Sequence, residues 1–151
     1  MADTETHSFN VSARWRGDVS GSGEAMVSDG ALAVPIAGAT GLGGAGGKAN
    51  PEELLLAAIA ACFVSTWAIF LKKLAIPHPE PALRVSGVLG KDPGGGFRME
   101  KAVVHVAVPA ALLAGRRGQV EKSLQLAEKY CIVSKVARAA MPLSVEIEEA
   151  P

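Results

Sequence analysis

The stretch Asn50–Phe63, NPEELLLAAIAACF, opens like a helix and then runs through small and apolar residues with one thiol among them. Asn50 is a good N-cap, Pro51 sits where its missing N–H costs nothing, and Glu52 and Glu53 favour the positive end of the helix dipole. The helix is expected to close at Lys72 and Lys73, because IPHPEP (Ile76–Pro81) forbids continuation. Leu54 to Leu71 carries no charge and reaches the length at which a membrane span has to be weighed. Ser65 and Thr66 interrupt that run and strand hairpins flank it, so the expectation is a central helix buried all round by protein.

Working outward, HSFNVSARWR (His7–Arg16) alternates loosely as a strand would, and EAMVSDGALAVPI (Glu24–Ile36) reads as two short strands joined at SDG. AGATGLGGAGGKA then predicts a mobile, aperiodic surface loop. Beyond the helix, ALRVSGVLG and FRMEKAVVHVAV alternate around KDPGGG as a second hairpin. A second helix is predicted between Gly118 and Ala140, with Val120, Leu124, Ala127 and Cys131 on its buried face. LSVEIEE after Pro142 is the last strand. The order is that of an α+β fold, helices packed on antiparallel sheet, in one domain spanning residues 1–151.

The balance of charge narrows the partners. Fifteen basic residues offset fifteen acidic ones, so no summed field attracts nucleic acid or an anionic membrane surface. At 49% hydrophobic and 20% charged, the chain can build a core. The opening MADTETHSFN lacks a basic region leading into an apolar one, so a cytoplasmic, reducing location is expected. Cys62 and Cys131 are then thiols, forming neither a disulfide framework nor a zinc spacing.

Other chemistries fit poorly. Gly41, Gly43 and Gly46 match G-x-G-x-x-G, but the helix opens only after Asn50-Pro51 and no acid follows at the dinucleotide distance, so no nucleotide cofactor is expected. His7, His78 and His105 have no partners at ligand spacing, so no metal is expected, and no G-x-S-x-G occurs. A cysteine among alanines is by itself more often a buried hydrophobe than a nucleophile.

NPEELLLAAIAACF nevertheless closely resembles the hallmark of the OsmC/Ohr family, the osmotically inducible and organic hydroperoxide resistance proteins. SDGALAVPIAGATGLGGAGG resembles the Ohr version of its region, and YCIVSKVARAAMPLSVEIE is similar to the family's second cysteine motif and terminal strand. The resemblance implies an intertwined homodimer and a thiol peroxidase acting on organic hydroperoxides, with Cys62 peroxidatic, Cys131 resolving, and Glu52 the family's glutamate. It also implies a dithiol reductant, lipoyl-bearing in the Ohr branch. Glu52 and Cys62 are ten residues apart, about 15 Å along one helix, so a shared site would draw the glutamate from another copy. Two such helices crossing antiparallel near Ala57 would meet this, with Ala58, Ala60 and Ala61 permitting close approach.

Two departures stand out. The family's arginine, which stabilises the thiolate, has no counterpart in SGSGEAMV or GATGLGGAGGKA; Arg16, Arg14 and Lys48 are the candidate substitutes. The family's proline after the second cysteine is here Ile132, which predicts a helix running through Cys131, its thiol away from any helix N-terminus. Phe63 and Trp67 are candidates to line a pocket, or are core. The alternative function is a non-catalytic protein of the same fold holding an apolar small molecule, with the thiols as lining.

Overall fold

The computed structural model describes residues 5–151, which fall into two compact units, one ending at Leu54 and the other beginning at Leu55.

The first unit is an antiparallel sheet in the order β1 (Ser12–Arg16), β2 (Ser22–Val27) and β3 (Leu32–Ala37). β1 starts later than the alternation suggests, since residues 7–11 join no strand and are exposed. The SDG link is a tight turn in which Ser28 and Asp29 take positive φ alongside Gly30. The glycine-rich stretch closes on itself rather than hanging as an open loop. A turn of 3-10 helix spans Thr40–Leu42, Gly44 N–H donates to Ala39 O and Gly46 N–H to Gly38 O. Gly44 lies directly on the Gly38 backbone, where a Cβ would not fit.

α1 (Pro51–Lys73) begins at the end of this unit and continues into the second. Its start is a reciprocal cap: Glu53 N–H donates to Asn50 Oδ1 at 2.8 Å, and Asn50 N–H to Glu53 Oε2 at 3.3 Å. Glu53 is thereby committed to the helix and Glu52 is not.

The second unit contains β4 (Ala82–Lys91), β5 (Phe97–Pro109), α2 (Ala110–Tyr130), α3 (Ile132–Ala140) and β6 (Leu143–Ala150). β4 and β5 form the expected antiparallel hairpin, but β6 pairs parallel to β5, so the sheet is mixed. The reason is topological: α2 and α3 carry the chain back to the starting end of β5, which only a crossover permits. β5 turns Ala102, Val104, Val106 and Val108 into the core, against Ile59, Phe63, Trp67 and Leu71 of α1 and Val120, Leu124 and Ala127 of α2. Ser86 of β4, His105 of β5 and Glu148 of β6 stand together on the opposite face, His105 Nε2 at 2.8 Å from Ser86 Oγ and Nδ1 at 3.1 Å from the carboxylate.

Two further expectations give way here. The second helix begins at Ala110, eight residues before Gly118, with a kink at Arg116, whose side chain donates to Ala75 O at 2.9 Å. And α1, long and apolar enough to cross a membrane by length and composition, is not buried all round within one chain. Its stripe Ile59, Phe63, Trp67 and Leu71 is covered, while Leu55, Ala58, Ala61, Ser65 and Ile69 remain exposed along another side.

Candidate active site

Cys62 and Cys131 meet in the second unit. Cys62 projects from the middle of α1, half-buried; Cys131 lies between α2 and α3 with no solvent exposure, and both are free thiols. The helix does not run through Cys131. Its backbone is extended (φ −64°, ψ 112°), α2 ends before it and α3 starts after it, although no proline is present.

Sulfur chemistry accounts for that break. Cys131 is the N-cap of α3, its Sγ accepting from Ser134 N–H at 3.4 Å and from Ser134 Oγ at 3.0 Å. A serine or threonine hydroxyl usually takes this place. The C-x-x-S spacing Cys131–Ser134 was the available signal, hidden because the stripe through Val120, Leu124 and Ala127 continues unbroken into Cys131. An ion pair of Arg138 on α3 with Glu128 on α2 fastens the two helices across the break.

The first turn of α3 therefore presents N–H groups that have no intrahelical acceptor. Burial pushes the Cys62 thiol up, but the Val133 N–H, the Cys131 thiol and the Ile132 N–H together outweigh it and hold Cys62 below the usual thiol range. Thr66 adds least, its hydroxyl being given to the Cys62 carbonyl at 2.7 Å. Cys131 moves the other way. Burial raises it and the neighbouring Cys62 raises it further, against the lowering effect of Ser134. The two sulfurs are thus displaced in opposite directions, Cys62 toward the thiolate and Cys131 toward the thiol. None of the groups that favour the Cys62 thiolate is a cation.

Phe63 and Trp67 are fully buried core residues in this chain, Trp67 Nε1 donating to Ser123 Oγ at 2.8 Å. Glu52 has a buried Oε2 that no group among the described residues satisfies. Arg14, Arg16 and Lys48 gather on one face of the first unit's sheet. Arg14 and Arg16 line a cavity of about 280 Å3 with Ser22, Gly23 and Glu24, and Lys48 Nζ donates to Ser22 Oγ at 2.8 Å.

Two neighbouring thiols, Cys62 half-buried on the central helix and Cys131 buried at the start of α3, on this mixed fold define a class of small α+β proteins. The chain belongs to the OsmC family: the model of OsmC-like protein matches residues 44–146. It is 33% identical over 129 residues to the organic hydroperoxide resistance protein of Xanthomonas axonopodis pv. citri, covering 83% of this chain and 85% of that one. Among solved structures, the organic hydroperoxide resistance protein OhrB of Bacillus subtilis superposes with a TM-score of 0.67 at 26% identity, covering 93% of this chain and 98% of that one. An OsmC organic hydroperoxide resistance protein of Legionella pneumophila shares the fold with a TM-score of 0.76 at 24% identity, over 95% and 99% of the two chains.

Proposed function

We propose that the chain is a thiol peroxidase that reduces organic hydroperoxides to alcohols. The observation that carries this is the pairing of two free thiols at the start of α3, displaced in opposite directions, Cys62 toward thiolate and Cys131 toward thiol. The kinship to organic hydroperoxide resistance proteins supports it.

In the first step the Cys62 thiolate attacks the terminal oxygen of the hydroperoxide. An S–O bond forms, the O–O bond breaks, and the departing alkoxide takes a proton to leave as alcohol, with Cys62 now a sulfenic acid. Cys131 then gives up its proton and attacks the Cys62 sulfur, and the sulfenic oxygen leaves as water. The resulting disulfide is reopened by a dithiol reductant in two exchange steps that return both thiols. A lipoyl-bearing protein is the reductant proposed, and a reducing cytoplasm suits the cycle. Val133, whose N–H meets Cys62 and which packs partly buried against the core, gives the site an apolar neighbour that suits a substrate with an apolar tail.

The working form proposed is a homodimer, with a second copy covering the α1 side that bears Leu55, Ala58, Ala61, Ser65 and Ile69. Glu52, with its unsatisfied oxygen, awaits a cation, and Arg14, Arg16 and Lys48 are the candidates for the missing arginine's role. The test is consumption of cumene hydroperoxide with dihydrolipoamide as reductant. Turnover should be abolished by Cys62→Ser and reduced by glutamine at whichever of the three cations serves. Absence of turnover with the unaltered protein, while it binds an apolar ligand, would favour the binding-protein alternative.

A further inference from the structure

Cys131 has a difficulty that Cys62 does not share. It must lose its proton to close the disulfide, yet it is fully buried, where a thiolate is costly. Two donors from a single residue converge on its sulfur, the Ser134 N–H at 3.4 Å and the Ser134 hydroxyl at 3.0 Å. Ser134 is itself without solvent exposure, so no bulk water competes for that hydroxyl. A serine at the third position of a helix normally gains little from pointing at its own cap, and here the hydroxyl is spent on a neutral thiol, a weak acceptor. The arrangement repays that only when the sulfur becomes charged, since hydrogen bonds to an ionised acceptor are about twice as strong.

We propose that Ser134 is the positioning residue for the resolving step, fixing the Cys131 sulfur toward Cys62 and receiving the negative charge that Cys131 develops as it attacks. This rests on the thiol-pair function above and deepens it. The order of events follows. While Cys62 is a thiolate, its charge holds Cys131 protonated. Once Cys62 is a neutral sulfenic acid or mixed disulfide, that opposition ends, and the two Ser134 donors remain.

The test needs no peroxide. Cys62 is converted to its thionitrobenzoate mixed disulfide with an aryl disulfide reagent. Loading releases one equivalent of the coloured thiolate; Cys131 then attacks the Cys62 sulfur, the Cys62–Cys131 bond forms and a second equivalent leaves, so the second phase of the absorbance reports resolution. Ser134→Ala should slow this release about tenfold at neutral pH and move its pH profile upward, while iodoacetamide alkylation of Cys62 stays within about twofold of the parent. Ser134→Thr should restore the rate. Ser134→Val, close to threonine in shape but without the hydroxyl donor, should stay slow and serves beside Ser134→Thr if the alanine variant does not fold. Release at the parent rate in Ser134→Ala, or Cys62 alkylation and release slowed alike, would overturn the proposal. Failure of the unaltered protein to oxidise with peroxide, with Ser134 still governing release, would reject the peroxidase and leave this role intact.

Discussion

At the scale of single residues, the chemistry depends on what draws the Cys62 thiol below its usual range in an apolar setting when none of the groups that do so among the described residues is a cation. Its own helix offers little, because Cys62 lies well past the first turn of α1. The start of a different helix supplies the donors. Cys62, lowered, should reach its thiolate plateau at lower pH than an ordinary cysteine, so its alkylation rate should climb first as pH rises and that of Cys131, raised, should follow at higher pH. Mass-resolved alkylation over a pH series checks the order. Isoleucine at position 132 keeps an N–H that a proline would remove, and that N–H favours the thiolate. Ile132→Pro, tolerated at a first helical position, should therefore lower the neutral-pH alkylation rate of Cys62 several-fold with the fold retained by circular dichroism. Both cysteines could be named from the sequence. Their acidity could not, because Ile132 argued for an unbroken helix and the cap formed by the Cys131 sulfur has no familiar signature.

At the scale of elements, the angle between α2 and α3 decides whether the α3 N-terminus faces Cys62. The Arg138–Glu128 pair spans the break at Cys131. Arg138→Ala should raise the pH at which Cys62 alkylates while costing no more than about 1 kcal/mol of global stability, readable from denaturant melts beside the alkylation profile. Core substitution should do the reverse. Phe63→Ala removes a fully buried ring next to Cys62 in sequence and should cost about 3–5 kcal/mol in the same melts. The start of α1, the β4–β5 hairpin and the terminal strand were legible because Pro, Gly and capping residues punctuate them. The early half of α2 was not: GRRG interrupts it with two glycines, and tertiary contact of Arg116 with Ala75 O holds a kinked helix where propensity is poor. The parallel pairing of β6 was equally hidden, since alternation in LSVEIEE is the same for either direction.

At the scale of the whole molecule, an apolar helix side carrying Leu55 and Ile69, 40% and 52% exposed, is a large surface to leave against water. If a second copy covers it, Ile69→Glu should shift the protein to monomer in light-scattering chromatography, and peroxide turnover should fall with it. The proposed cycle turns on one bond. Reduced protein treated with one equivalent of cumene hydroperoxide, quenched by acid and weighed intact, should lose two hydrogens through a disulfide between Cys62 and Cys131, faster than with hydrogen peroxide. In Cys131→Ser it should instead stop at a sulfenic acid on Cys62. Both thiols remaining reduced after exposure to the organic peroxide would contradict the account.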